Sequence, residues 1–122
     1  MNILVVDDSK PMRLIVKKAL KQAGYVSYEI REAANGREGL ACVRASSPAV
    51  VLCDWNMPEM SGFELLQALN KEGLTVPFGF VTSETTEEVR QQATSAGARF
   101  FLGKPFTSEA VSAALRDIIP PA

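Results

Sequence analysis

Five short apolar runs recur along the chain, and each is followed by a stretch whose apolar residues repeat at helical spacing. The first run, Ile3-Leu4-Val5-Val6, is continuous rather than alternating, the pattern of a strand buried on both faces. Ser9 can cap the helix after it, with Pro11 tolerated in the first turn. Met12, Ile15, Val16, Ala19, Leu20 and Ala23 then share one face, and Gly24 ends the helix. Val26 to Ala33 reads as a second strand, less apolar and so nearer an edge. Asn35-Gly36 breaks it, and Asn35 with Glu38 suits a capping box for a helix reaching about Ala45. Pro48 precedes Val50-Val51-Leu52-Cys53, a fully apolar third strand. Past a loop containing Pro58, Ser61 and Glu64 form a second capping box, for a helix ending near Gly73.

Pro77 opens a fourth strand, Phe78 to Val81. Thr85 with Glu88 is expected to box the next helix, which stops at Gly97. Arg99 to Leu102 is the fifth strand, and Thr107 or Ser108 caps a last helix carrying Ala110, Val111, Ala114, Leu115, Ile118 and Ile119 up to Pro120-Pro121. Alternating strand and helix with apolar strands implies an α/β fold, a parallel sheet covered by helices on both faces. Right-handed crossovers restrict it to a few doubly wound topologies.

At 122 residues one domain is expected. A hydrophobic share of 47% with 22% charged residues is that of a folded chain rather than a disordered one. Thirteen basic and fourteen acidic residues leave a net charge of −1, so no strong field is available to attract nucleic acid or an anionic membrane. Histidine is absent, which excludes Ser-His-Asp and Cys-His nucleophilic machinery, His-based zinc sites and an internal phosphohistidine relay. Cys42 and Cys53 fit no metal motif and read as small buried hydrophobes in a reducing cytoplasm. The N-terminus has no basic region before its short apolar run, so neither a signal peptide nor a membrane span is expected.

In such sheets ligands bind beyond the carboxyl ends of the strands. The polar residues there are Asp7 and Asp8 after the first strand, Asp54 after the third, Thr82-Ser83 after the fourth and Lys104-Pro105 after the fifth. If the first and third strands are neighbours, three carboxylates converge, which is costly unless a cation compensates. Hard oxygen donors without sulfur or imidazole suit Mg²⁺, with Mn²⁺ also acceptable. Beside them, Lys104 supplies a fixed positive charge and Thr82 a hydroxyl donor, a set suited to holding a phosphoryl group. Asp54 could itself attack phosphorus and form an aspartyl phosphate.

The motifs Val6-Asp7-Asp8, Asp54-Trp55-Asn56-Met57-Pro58 with Gly62 beyond, Val81-Thr82-Ser83 and Lys104-Pro105-Phe106 resemble, in order and spacing, those of the receiver domain of bacterial two-component response regulators. The resemblance runs from Ile3 to about Ile119 and is strongest to the single-domain chemotaxis members. It implies a flavodoxin-like (βα)5 three-layer sandwich, with the strand order 2-1-3-4-5 belonging to the family rather than to any spacing read here. It further implies that Asp54 is the phosphoacceptor. The implied Mg²⁺ ligands are Asp8, Asp54 and the backbone carbonyl of Asn56, with Asp7 acting through water. Thr82 and Lys104 would stabilise the phosphoryl group, and Phe101 would be a switch aromatic where tyrosine is common. Asn56 and Glu84 would tune dephosphorylation, toward fast self-hydrolysis. The Lys104-Pro105 bond is expected to be cis on the same ground.

The implied partners are a histidine kinase or histidine phosphotransfer protein as donor, and an output protein on the face made by helix four, strand five and helix five. Direct nucleic-acid binding and membrane insertion are not expected, and the receiver would act without an attached effector. The protein is then a signalling switch rather than an enzyme, although it assists its own phosphorylation and dephosphorylation. Arg13, Lys17 and Lys21 line one side of the first helix, either as a solvated face or as a dock for an acidic partner. Trp55 reads as a ring packed beside the metal loop. Competing readings are weaker. A flavin module needs a phosphate loop rich in Ser, Thr and Gly where Asp7-Asp8 stand. A haloacid-dehalogenase-type phosphatase needs a second Asp where Asn56 stands. A degenerate, contact-only receiver would lack an acid or the lysine, and none is missing.

Overall fold

The computed structural model describes every residue, Met1–Ala122. Five strands alternate with five helices: β1 (Asn2–Val6), α1 (Lys10–Gln22), β2 (Glu29–Ala33), α2 (Gly36–Ser46), β3 (Val50–Cys53), α3 (Gly62–Lys71), β4 (Phe78–Thr82), α4 (Glu87–Ser95), β5 (Phe100–Gly103) and α5 (Ser108–Leu115). All strand pairs are parallel, in the order β2-β1-β3-β4-β5. The α/β fold class and the sheet order are those expected.

Because successive side chains of a strand point to opposite faces, the two layers sort by parity. Ile3, Val5, Val50, Leu52, Val81 and Leu102 pack with Val16, Ala19 and Leu20 of α1 and Val111 and Leu115 of α5. Leu4, Val6, Val51, Cys53, Phe78 and Phe80 pack with Val43 of α2, Leu65, Leu66 and Leu69 of α3 and Ala93 of α4. Helices α1 and α5 therefore cover one face and α2, α3 and α4 the other. Strands β1, β3 and β4, apolar but for Asn2 and Thr82 at their ends, fill the centre, where both of their faces are buried.

Local chemistry sets most element ends. Ser9, Asn35, Ser61 and Thr107 are N-caps, each accepting a backbone N–H of the first turn. Ser61 and Glu64 complete a reciprocal box, whereas Glu38 reaches past Asn35 to the N–H of Ala34. Gly24 adopts a φ of 102°, a conformation open to glycine at little steric cost, and so lets the chain leave α1.

Four expectations need correction. The N-cap of α4 is Thr86, which accepts from Val89 N, and the side chain of Thr85 instead faces Gly103. The second strand begins at Glu29 rather than Val26. Val26 is exposed, while Tyr25 is fully buried and donates its hydroxyl to the Ile119 carbonyl, so this segment is an anchored loop. The regular part of α5 ends at Leu115, and Ile118 and Ile119 continue in turns bonded back to the Leu115 carbonyl. The fifth strand is shifted by one residue, to Phe100–Gly103.

Candidate functional site

The strand register puts Val6 beside Cys53, Cys53 beside Phe80 and Thr82 beside Gly103. The residues that follow therefore emerge at one end of the sheet. Ladder-like bonds continue one step past the strands. Asp7 N donates to Ala33 O at 3.1 Å, Asp54 N to Val6 O at 2.9 Å and Lys104 N to Thr82 O at 2.9 Å. The backbones of Asp7, Asp54 and Lys104 are thus held like sheet residues although each lies at a loop start.

Asp7, Asp8 and Asp54 each offer a carboxylate oxygen within 4.8 Å of the others. Asp7 is buried, Asp54 partly buried and Asp8 exposed. Asp7 is fully engaged by protein donors: Ser9 N reaches Oδ1 at 2.9 Å and Lys104 Nζ reaches Oδ2 at 3.1 Å. In Asp54, Oδ1 accepts from Trp55 N at 2.8 Å, and Oδ2 lies 3.7 Å from Lys104 Nζ. Lys104 thus sits closer to Asp7 than to Asp54. Burial pushes the Asp54 carboxyl above its ordinary value. Lys104 opposes this, Asp7 adds to it, and the Trp55 N–H and Thr82 hydroxyl pull it back.

Thr82 is buried, and its Oγ1 accepts from Glu84 N at 3.1 Å, which leaves the hydroxyl proton available to another acceptor. Asn56 and Glu84, on loops after β3 and β4, meet across the site: Asn56 Nδ2 donates to Glu84 Oε1 at 3.2 Å. Phe101 stands apart on β5, its ring 6.4 Å from that of Phe80. The Lys104-Pro105 bond is cis. Trp55 packs against Phe80 and Phe63, at 4.9 Å and 5.3 Å between ring centroids, in keeping with a structural ring beside the loop.

Two residues named from the sequence, Gly62 and Arg13, support the site in ways the sequence does not reveal. A Cβ on Gly62 would come within 2.0 Å of the Asp54 carbonyl oxygen, so the close approach of α3 to the Asp54 backbone needs glycine. The motif contained Gly62 without revealing why. Arg13 donates from Nη1 to the Asp7 carbonyl at 2.6 Å and from Nε to Glu32 at 2.8 Å, and Lys17 also reaches Glu32, at 3.2 Å. Two members of the basic stripe are therefore committed within the molecule, a contact between distant residues that spacing alone does not encode. The cysteines are unpaired, and burial raises the Cys53 thiol well above its ordinary value, which keeps it inert.

The donor set fits a hard divalent cation. Three carboxylates share a small volume with a single lysine, and no imidazole or thiolate competes. Asp8 and Asp54 retain oxygens without a protein donor, whereas both oxygens of Asp7 are occupied. No helix is long and apolar enough to cross a membrane.

Comparison with known proteins agrees with this geometry. The response regulator receiver domain family matches residues 3–116. The phosphate regulon transcriptional regulatory protein PhoB of Pseudomonas aeruginosa is 34% identical over 119 residues, which are 96% of this chain and 51% of that protein. The chain thus spans about half the length of that relative. The chemotaxis protein CheY1 of Helicobacter pylori is 33% identical over 122 residues, covering 98% of this chain and 97% of that one. The crystal structure of the chemotaxis protein CheY4 of Vibrio cholerae superposes with a TM-score of 0.84 at 35% identity, over 97% of this chain and 98% of that one. With its flavodoxin-like sheet and its acidic cluster at the strand ends, the chain belongs to the response regulator receiver domains, the CheY-like signalling switches of two-component systems.

Proposed function

We propose that the chain, whose residues 1–122 form a single receiver domain, takes a phosphoryl group onto Asp54 from the phosphohistidine of a histidine kinase or phosphotransfer protein. The reading is carried by one observation, the convergence of Asp7, Asp8 and Asp54 with Lys104 at the carboxyl end of the sheet. An oxygen of Asp54 forms the new P–O bond as the P–N bond of the donor breaks, and water later cleaves the acyl phosphate to return Asp54 and inorganic phosphate.

Asp8, Asp54 and the Asn56 backbone carbonyl would hold Mg²⁺ or Mn²⁺, with Asp7 acting through water. When bound, the ion supplies positive charge against the phosphoryl oxygens. The protein's own groups do the rest. Lys104 neutralises a further share of that charge, and the Thr82 hydroxyl donates to a phosphoryl oxygen. Asn56 and Glu84 flank the group and meter the approach of water. The self-catalysed steps need only this positioning.

Phosphorylation adds a charge of about −2 to the site. Thr82 shifts toward it, the loop after β4 follows, and Phe101 turns into the space released. The face made by α4, β5 and α5 is thereby altered, and an output protein that prefers one form reads the change. The reaction belongs in the cytoplasm, where donor kinases meet ATP. Chemotaxis is named for two relatives, and it is one process such a switch could serve.

The test is Trp55 fluorescence during titration with Mg²⁺ and then acetyl phosphate, beside Asp54→Asn and with intact mass recorded. A metal-dependent change is expected first. A second, decaying change should accompany the mass of one phosphoryl group, and Asp54→Asn should abolish both. Metal binding without phosphorylation would overturn the acceptor assignment, and no response to either would overturn the site. Asn56→Arg and Glu84→His should lengthen the decay, and unchanged lifetimes would remove both from the hydrolytic role.

A further inference from the structure

The Phe101 ring is covered on its outer side by the guanidinium of Arg90, whose Cζ lies 4.8 Å from the ring centroid. On its inner side it neighbours Phe80, its register partner on β4. Arg90 is exposed on α4 and makes no side-chain hydrogen bond or ion pair, unlike Arg13, Arg31 and Arg44. The aromatic face is its one partner. Phe101 is half-buried against the core on the α2, α3 and α4 side, and with no hydroxyl to anchor it the ring's position under Arg90 rests on dispersion and on attraction between cation and ring quadrupole.

We propose that Arg90 is a positioning residue that biases the switch toward its resting form by clamping Phe101 outward. This rests on the reading of Phe101 as the aromatic that turns inward on phosphorylation. A ring turned further into the core would leave Arg90, so the contact acts as a differential interaction and shifts the equilibrium between the two ring positions. A cation–aromatic pair at a solvent-facing position is worth about two- to fivefold in such an equilibrium. Arg90 lies on the helix that follows Thr82 at the end of β4 and the loop carrying Glu84, so a shift of that loop and the release of the ring act on the same segment. Thr82 moves toward the phosphoryl group while Phe101 leaves Arg90, and the resting state is restored when hydrolysis reverses both.

The experiment follows the aromatic ring signals of Phe101 by nuclear magnetic resonance, assigned by their loss in Phe101→Leu. Spectra are taken with Mg²⁺ alone and with Mg²⁺ and acetyl phosphate, for the unchanged protein and for Arg90→Ala, Arg90→Met and Arg90→Lys. Arg90→Met keeps an apolar cover without the charge, and Arg90→Lys keeps a cation. The expected result is a resting inward population about two- to fivefold higher in Arg90→Ala and Arg90→Met, with Arg90→Lys within about twofold of the unchanged protein. If the Phe101 signals do not move on phosphorylation of the unchanged protein, the switch reading falls and takes the clamp with it. If they move but none of the Arg90 variants alters the resting population, the clamp alone is overturned. If Arg90→Lys behaves as Arg90→Ala does, the cation is not the source of the bias and the clamp is likewise overturned.

Discussion

At one edge of the sheet, β2 presents Glu29, Arg31 and Glu32, and at the other β5 presents Phe100, Phe101 and Leu102. Glu32 ties β2 to α1 through Arg13 and Lys17, and Glu29 pairs with Arg31 along the strand. The β5 edge has no ion pair of its own beyond Lys104 at its end, and its Phe101 ring rests on Phe80 and Arg90. The helices beside the two edges differ in the same sense. Helix α1 buries Val16, Ala19 and Leu20, whereas α4 buries only Ala93 and, apart from the half-buried Val89, is otherwise polar. An edge fastened by directional charge pairs to a well-buried helix has one arrangement. An edge held by rotatable rings under a lightly buried helix can have two. The difference fits the proposed switching through β5 and α4, with β2 and α1 held fixed.

The sharpest test of that contrast is truncation under each helix. Leu20→Ala, at a fully buried position, is expected to lower the unfolding free energy by about 2–5 kcal/mol, and Val89→Ala on α4 by under about 1 kcal/mol, measured by urea denaturation. Comparable losses would remove the distinction. Amide hydrogen exchange offers a second view. Protection in α4 should correspond to local opening well below the global value, while α1 and α3 should approach it. Uniform protection across the three helices would contradict the picture of a loosely held α4.

A smaller effect is expected at the site that both edges flank. Burial holds the Asp54 carboxyl above its ordinary value, so its ionisation opposes folding. That penalty is absent in acid and present in full once the pH exceeds the folded value. Asp54→Asn should therefore raise stability in metal-free buffer at neutral pH by up to about 1 kcal/mol after solvent screening, and the gain should vanish below about pH 4. A loss at neutral pH would mean that Lys104 outweighs the crowding of carboxylates.

The smallest effect belongs to β2. The Arg13 bond holds Glu32 below its ordinary value, so its contribution exists above the unfolded value and is lost as the pH falls through the folded one. Glu32→Gln should cost about 0.5–1 kcal/mol at pH 7 and progressively less below about pH 4. A difference independent of pH would show that packing, not charge, fastens this edge.

Much of this fold is legible in the residues themselves. The continuous apolar runs of β1 and β3 read as strands buried on both faces, and Asp7 and Asp54 each stand one residue past a strand end, with Lys104 two past the expected end of the fifth. The misreadings lie where tertiary contacts decide. Val26 has strand propensity, but burial of Tyr25 and its bond to the Ile119 carbonyl make the segment a loop. Thr85 and Thr86 are equivalent as caps by composition, and the space beside Gly103 selects between them. Within the site the residue types were readable, whereas the hold of Arg13 on the Asp7 carbonyl and of Arg90 on Phe101 joins positions with no shared period. Periodicity reports which face a side chain takes, not which distant group it meets there.

The ladder bonds that run one step beyond β1, β3 and β5 bear on how often such a site can be used. The backbones of Asp7, Asp54 and Lys104 are fixed by the same bonds that join the strands. The loss of chain entropy needed to align them is incurred once, during folding, and does not recur with each event at the site. A reversible signal carrier is modified and restored many times in its lifetime. In the proposed cycle, Asp54 and Lys104 would wait in alignment through every round, while movement would be left to the loops and rings around them.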